Sequence, residues 1–244
     1  MYQFFVEEDA IGADNISITG EDVNHIKNVL RMKIGTDIRI SNKNDKDYIC
    51  HIVSIEDDEI LAAIDEVDLE GTELPSKIYL FQGLPKGDKM ETVIQKNVEL
   101  GVSSIIPVSM KRSVMKLEPK KVKSRIERWN KIAESAAKQS KRMIIPEVTE
   151  PMTMKEAVKF ASDLDLILLP YENSKGMEET KKIIEGIEAG QSIGIFIGPE
   201  GGFDEAEVDL AIEAGAKVIS LGKRILRTET AGMALMSVLA YMLE

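Results

Sequence analysis

The run Ile193-Gly194-Ile195-Phe196-Ile197-Gly198-Pro199-Glu200-Gly201-Gly202-Phe203-Asp204 joins an unbroken apolar strand to a glycine-rich loop and an acidic helix start. A strand without polar alternation is buried on both faces, the habit of a parallel sheet covered by helices. Leu166-Ile167-Leu168-Leu169 reads the same way. Outward from these two, strands at 78–82, 104–108, 164–169, 193–197 and 218–221 alternate with helices at 88–100, 176–187, 204–214 and 230–243, and with a long basic helix opening near Pro119. The pattern predicts an α/β domain, whose ligands bind beyond the carboxyl ends of the strands.

The first seventy residues are patterned differently. Short alternating or β-branched runs at 3–6, 37–40, 48–55 and 59–67 surround one helix at 21–31, with Val23, Ile26, Val29 and Leu30 on one side of it. A polar stretch with Gly71 and Pro75 separates the two patterns, which predicts a small β-rich domain over 1–72 and a larger one over 73–244. A chain of 244 residues with 43% hydrophobic content can fill both cores. No segment approaches the roughly 18 apolar residues of a membrane span, and the start lacks a basic leader, so a soluble cytoplasmic protein is expected. The single cysteine, Cys50, and two histidines, His25 and His51, are too few for a disulfide or a structural zinc site, and no metal is expected. Cys50 and His51 are strand neighbours and point to opposite faces, a half-buried thiol beside a surface imidazole.

Net charge is −11, which by itself argues against a polyanionic partner. The charge is uneven: −11 over 1–72, zero over 73–110, +9 over 111–142 and −9 over 143–244. The basic stretch includes Arg112, Arg125, Arg128 and Arg142, and Val122, Ile126, Trp129, Ile132 and Ala136 give its helix an apolar face. It reads either as a solvated helix face or as a ridge that binds a polyanion. The final helix is apolar nearly all round, so it is buried in a large core or against a second subunit, and a homodimer is expected.

Two loops at the same end of the sheet are candidates for chemistry. Gly198, Gly201 and Gly202 allow close backbone approach and conformations closed to other residues. Neither loop has the spacing of a dinucleotide or phosphate-loop fingerprint. Leu226-Arg227-Thr228-Glu229-Thr230 lies between an apolar strand and an apolar helix, where burial of Arg227 is costly unless it is paired or used. Thr228 and Glu229 are explained as a helix start. Arg227 is left over and is the leading functional candidate.

The two loops, with Lys86-Gly87-Asp88-Lys89-Met90-Glu91, Gln139-Ser140-Lys141-Arg142 and the opening Phe4-Phe5-Val6, resemble the RsmE family of ribosomal RNA methyltransferases over nearly the whole chain. The resemblance implies a PUA-like RNA-binding β-barrel followed by a SPOUT domain with a parallel sheet and a trefoil knot, a class of topology that is rare in general. It also implies a homodimer that uses S-adenosylmethionine to methylate N3 of a uridine in 16S ribosomal RNA, in the assembled small subunit. By the same resemblance the donor pocket is built from Leu169, Pro170, Tyr171 and Glu172, from Ile197, Gly198, Pro199, Glu200, Gly201 and Gly202, and from Leu221, Gly222, Ile225, Leu226, Arg227, Thr228 and Glu229. RNA contacts are expected from His25, Arg31, Lys86, Arg112, Arg125, Arg128 and Arg142. Two positions depart from the family: Gln3 stands where Arg is frequent, and Lys141 where Gly is common.

N3 of uracil must lose a proton, so positioning and anion stabilisation are expected to dominate. Arg227 is the expected catalytic residue, and Glu200 and Glu229 are candidates for the base, although both also fit a loop-holding or helix-capping role. The competing readings are a SPOUT ribose 2′-O-methyltransferase acting on transfer or ribosomal RNA, and a non-catalytic ribosome-assembly factor.

Overall fold

The computed structural model describes residues 1–171 and 176–244. They divide into two compact units, one of Met1–Glu73 with Ala137–Ile145 and one of Leu74–Ala136 with Pro146–Glu244.

The smaller unit is a curled five-stranded sheet of β1 (Tyr2–Phe5), β2 (Asn15–Thr19), β3 (Asp37–Ser41), β4 (Asp47–Ile55) and β5 (Glu59–Asp68), in the order β1-β3-β4-β5-β2. The β1–β3 ladder is parallel and the other three are antiparallel. No ladder joins β1 to β2 among the described residues, so the expected barrel is a PUA-like half-barrel with an open seam. Inward side chains alternate as the pleat requires, with Phe4, Ile16, Ile18, Ile38, Ile40, Cys50, Ile52, Ile60 and Ala62 almost wholly buried. β2 is absent from the sequence reading: its five residues place only two isoleucines inward, too short a signal beside Gly20. The predicted helix over 21–31 is α1 (Glu21–Asn24) opening into a π-helical turn at His25–Val29. That extra residue per turn rotates Val29 out of the predicted apolar side and leaves it 64% exposed. Cys50 is wholly buried rather than half-buried, and desolvation pushes its thiol up to about 12. His51, on the opposite face, pairs through Nδ1 with the Asp65 carboxylate at 2.9 Å.

Charged groups are placed inside this unit with partners. Arg39 donates to Asp47 at 2.6 Å and to Asp68 at 2.8 Å. Desolvation nevertheless dominates at Asp47 and raises its carboxyl, whereas the Gly71 N–H leads a set of donors that lowers Asp68. Arg142, expected on an RNA-facing ridge, is 3% exposed. Its guanidinium forks onto the Glu73 carboxylate, which also accepts from the Met143 N–H at 3.0 Å. The Arg142 carbonyl accepts from Gln3 Nε2 at 2.6 Å, which gives the family departure at Gln3 a structural role. Lys141 has φ of 64°, the left-handed region that favours glycine, which accounts for the glycine common at that position.

The larger unit is an all-parallel sheet in the order β12-β10-β11-β6-β7-β8, formed by β6 (Lys77–Gly83), β7 (Ser104–Ser109), β8 (Glu147–Val148), β10 (Leu166–Pro170), β11 (Ser192–Ile197) and β12 (Lys217–Ile219). β9 (Met152–Thr153) also pairs with β7. The helices are α2 (Lys89–Glu99), α3 (Pro119–Ser140), α4 (Met154–Ala161), α5 (Met177–Glu185), α6 (Glu205–Glu213) and α7 (Thr228–Leu243). The central strands are buried on both faces, as their composition requires: Ile193, Ile195 and Phe196 are 0% exposed, as are Leu168 and Leu169. The sequence reading did not include β8, β9 or α4: the two strands have two residues each, and α4 has eight, opened by a Thr153–Glu156 capping box. α3 buries Trp129, Ala133 and Ala136 in place of the full predicted apolar face, and its last residues, from Ala137, group with the smaller unit. α7 is not covered on every side. Leu235, Met236 and Leu239 are buried, while Val238, Tyr241 and Met242 are 46%, 84% and 47% exposed. No helix among the described residues is long and apolar enough to cross a membrane.

Removing one partner of a buried ion pair leaves the other charged and desolvated. Arg142→Ala is therefore expected to destabilise the protein by about 3–5 kcal/mol, read from denaturant unfolding. A loss under about 1 kcal/mol, the range of an exposed pair, overturns the structural role given to Arg142.

Candidate active site

All strands of the larger sheet run the same way, so the loops after β6, β7, β10, β11 and β12 leave one edge. The chain leaves β12 at the sheet margin and returns to its middle, where α7 starts. Thr228, 6% exposed at the first turn of α7, donates to the Gly198 carbonyl at 2.6 Å and accepts from Gln82 Nε2 at 2.9 Å. These bonds join the end of β6, the loop after β11 and the start of α7.

Further interactions fix the 198–203 loop. A Cβ on Gly83 would lie 2.7 Å from Pro199 Cδ, so that glycine is required by the close approach of the loop to β6. Glu200 accepts from the Lys86 N–H at 3.1 Å and from Lys89 Nζ at 2.8 Å. Arg112 donates to the Gly201 carbonyl at 3.2 Å, with Lys111 on Asp204 at 2.9 Å. Gly202 takes φ of 68° and donates back to the Pro199 carbonyl at 2.9 Å, closing the turn. Desolvation is the largest single influence on Glu200 and pushes it up, but Lys89 and the backbone donors together hold it below the usual carboxylate value. The Lys111 ammonium leads the groups that lower Asp204, and Glu200 leads those that raise Lys89.

The loops enclose a cavity of about 580 Å³ lined by Pro170, Tyr171, Ile197, the 198–203 loop, Ile225, Leu226, Arg227, Thr228 and Ala231, with Lys89 and Arg112 at its wall. A second cavity of about 230 Å³ shares Pro170, Tyr171, Ile225, Leu226 and Ala231 with it and adds Ser220, Leu221, Gly222, Lys223 and Arg224. Most of the expected pocket residues thus come together. Leu169 does not: it is 0% exposed in the core and lines neither cavity. Glu229 lines neither and stands 3.5 Å behind Lys89, one carboxylate oxygen buried without a hydrogen bond. Glu172 lies outside the described residues. Arg227, expected to be buried, is exposed on the cavity wall, with no hydrogen bond or ion pair to its side chain among the described residues. The physical reason is its place as the residue before the first turn of α7, outside the packed helix face.

Lys89, Gln82, Phe203 and Ala231 are site residues to which the sequence reading gave no role. Lys89 stands in a recognisable motif, but nothing local marks its partners, and a lone glutamine on a buried strand carries no signal.

The basic stretch is only partly available. Lys121 pairs with Glu118, Arg128 with Glu91, and Lys138 with Asp22. Arg125 is half-buried against Met115. Lys116, Lys120, Lys123 and Lys131 are exposed, with no ion pair among the described residues. In the smaller unit Arg31 is exposed, and His25 is half-buried with its ring edge-on to Phe4. No cluster of three or more potential metal ligands occurs among the described residues.

A family model described as an RNA methyltransferase domain matches residues 72–240, and one described as an RNA methyltransferase PUA domain matches 18–65. With the parallel sheet and its cavity, these define an RNA methyltransferase. A Bacillus subtilis protein named ribosomal RNA small subunit methyltransferase E is 39% identical, the match covering 100% of this chain and 98% of that one. A crystal structure of a ribosomal RNA small subunit methyltransferase E from Neisseria gonorrhoeae, bound to S-adenosyl methionine, superposes with a TM-score of 0.83 at 31% identity over 97% of this chain and 95% of that one. A methyltransferase from Legionella pneumophila with bound cofactor gives 0.85 at 29% identity, covering 98% and 96%. The chain belongs to the ribosomal RNA small subunit methyltransferase E family.

Glu200 and Asp204 are lowered from ordinary values of 4.5 and 3.8, so their bonds stabilise the loop fully above those values and are lost as pH falls through the depressed range. Melting temperatures of wild type and Glu200→Gln are expected to differ at neutral pH and to converge as pH falls through the depressed range of Glu200, where the protonated carboxyl resembles the amide. A difference that stays constant as pH is taken well below the ordinary value of 4.5 overturns the ionic role of Glu200.

Proposed function

We propose that the chain transfers a methyl group from S-adenosylmethionine to N3 of a uridine in 16S ribosomal RNA, in the cytoplasm and in the context of the assembled small subunit. The observation that carries the reading is the convergence of the loops after β10, β11 and β12 on one cavity, in a chain of this family. The cavity fits the donor: its volume lies within the usual range of ligand sites, its wall is apolar at Ile197, Ile225 and Leu226, and its glycines bare the backbone for the polar edges of a nucleoside. Gly198, Pro199, Gly201 and Gly202 would hold the donor from one side, and Leu221, Gly222, Ile225 and Leu226, with Pro170 and Tyr171, from the other. When bound, the donor supplies a methyl carbon activated by its sulfonium.

The chain's own residues orient the base and stabilise charge. Loss of the N3 proton spreads negative charge onto the uracil carbonyl oxygens, and a cation fixed beside them lowers that barrier. Arg227 is suited to this because it faces the cavity and none of its donors is engaged among the described residues. Glu200, held ionised by Lys89 and by backbone donors, acts as a strut for the loop rather than as a proton acceptor. The target base leaves its stack to reach the cavity. RNA is held by Lys86, Arg112 and the exposed lysines of α3, with Arg31 and His25 contributing from the smaller domain. The exposed Val238, Tyr241 and Met242 of α7 form the face of a homodimer. The return of the chain from β12 to the middle of the sheet supports a trefoil knot in this domain.

Labelled methyl transfer to small ribosomal subunits, followed by nucleoside digestion, is expected to yield N3-methyluridine. Label on ribose, or label only in transfer RNA, overturns the reading. Arg227→Ala is expected to lower turnover more than about tenfold, on the scale of removing one charge-stabilising donor, with donor affinity little changed. Wild-type turnover in that variant sinks the role given to Arg227. Replacing Lys116, Lys120, Lys123 and Lys131 with Gln is expected to weaken RNA binding and to flatten its salt dependence, by about 0.7–0.9 in logarithmic slope for each phosphate no longer neutralised; an unchanged slope shows that α3 does not face the RNA.

A further inference from the structure

We propose that Gln82, a wholly buried residue at the end of β6, is a positioning residue for the methyl donor, acting through the Thr228 hydroxyl on the Gly198–Pro199 peptide unit. The inference rests on the donor reading of the cavity given above.

The direction of each hydrogen bond in the chain is forced. The Gly198 carbonyl can only accept, so the single Thr228 hydroxyl proton points to it at 2.6 Å. The hydroxyl oxygen must then accept, and the donor it meets is Gln82 Nε2 at 2.9 Å. The second Nε2 proton goes to the Gly83 carbonyl at 3.0 Å. Turning the amide over would set Oε1 against two oxygens that have no proton to offer it, so the network fixes its orientation. The consequence is an orphan: Gln82 Oε1 is buried without a partner, in a side chain 0% exposed. A buried unsatisfied acceptor is costly, and it persists here because both amide protons are needed.

The peptide unit held by this relay has an unusual property. Pro199 has no N–H, so the Gly198 carbonyl is the only backbone polar group between the two residues. Whether it faces the cavity or the protein interior is decided by what binds it. Thr228 draws it inward, which keeps an acceptor off the donor-facing wall and seats Pro199 over Gly83, where even a Cβ would be 2.7 Å away. Gly198 is itself closely packed, since a Cβ there would lie 3.2 Å from the Gly202 carbonyl carbon and the Gly202 backbone would have to give by a few tenths of an ångström. The relay therefore sets the shape of the glycine loop from behind, without touching the donor through Gln82.

The test is a set of variants in the full-length protein: Thr228→Val, which keeps the shape and removes the hydroxyl; Thr228→Ser, which keeps the hydroxyl; and Gln82→Met, which keeps the volume and removes both donors. Donor dissociation constants are measured by calorimetry with S-adenosylmethionine, turnover at saturating donor with ribosomal subunits, and the amide hydrogen-exchange rate at Gly202 without any ligand. Thr228→Val and Gln82→Met are expected to weaken donor binding about tenfold or more, to change saturated turnover less than about threefold, and to speed exchange at Gly202, while Thr228→Ser stays within about threefold of wild type; a tenfold change corresponds to about 1.4 kcal/mol. Equal donor affinity in Thr228→Val and wild type overturns the proposal, and so does a Thr228→Ser variant as impaired as Thr228→Val, which would assign the effect to packing. Failure of the wild-type chain to bind the donor overturns the donor reading itself and this inference with it. The exchange rate separates the two failures, because it reports the clamp on the loop whether or not a donor binds.

Discussion

Parallel pairing is the constraint on which the larger unit depends. Every strand in its sheet must be followed by a crossover that returns the chain to the opposite edge, so each carboxyl end opens into a loop on the same side. The strands themselves have no polar surface to offer. Phe81 and Phe196 stack at 4.4 Å on adjacent strands, and Ile193, Ile195 and Leu168 are sealed between helices. Chemistry is confined to the edge. What distinguishes this sheet is that the chain comes back from the margin at β12 to the middle, so a buried threonine of α7 closes on a loop two strands away.

The cavity that results is held largely by side chains tied to backbone groups. Glu200, Arg112, Glu207 and Thr228 each bond a main-chain N–H or carbonyl of a neighbouring loop. Such bonds fix loops more firmly than pairs of flexible side chains do, because one partner is already positioned by the fold. They also explain why charged residues crowd an opening that must receive a charged donor and an anionic polymer. Lys89 is taken up by Glu200 and Glu229, and Lys111 by Asp204, while Arg227 is left without a protein partner among the described residues. A cation without a partner at the rim of a cavity is available to a ligand in a way that a paired one is not.

The sequence made the architecture legible wherever burial leaves a pattern. Unbroken apolar runs marked β10 and β11, and alternation marked β3 to β5. Five-residue β2 and the two-residue β8 and β9 left too little pattern to read. The glycine loop was legible because three glycines in five residues have no other explanation as a group, whereas Gln82 and Lys89 became visible only when their partners, more than one hundred positions away, were in place. Arg227 and Arg142 show the same limit from opposite sides. Apolar neighbours suggested that Arg227 was buried, yet it precedes the first turn of α7 and points out. Basic neighbours suggested that Arg142 was exposed, yet Glu73 draws it inside. Local composition reports the average surroundings of a segment and not the direction of one side chain.

That limit bears on how an acidic protein can take an RNA substrate. Much of the +9 charge over 111–142 is neutralised by groups outside that stretch, on Glu91, Asp22, Asp204 and Glu73, so the formal count overstates the field that a phosphate meets. The unpaired lysines lie on α3 up to Lys131 and on the segment before it, in the same unit as the cavity. Coulomb repulsion from the acidic remainder weakens over a Debye length of roughly 8 Å at physiological salt, while a cluster of lysines within that distance of a phosphate acts almost undiminished. A net charge of −11 and an RNA-facing surface are therefore compatible, provided the attraction is local. The acidic remainder then serves specificity, since it repels nucleic acid presented in any other orientation.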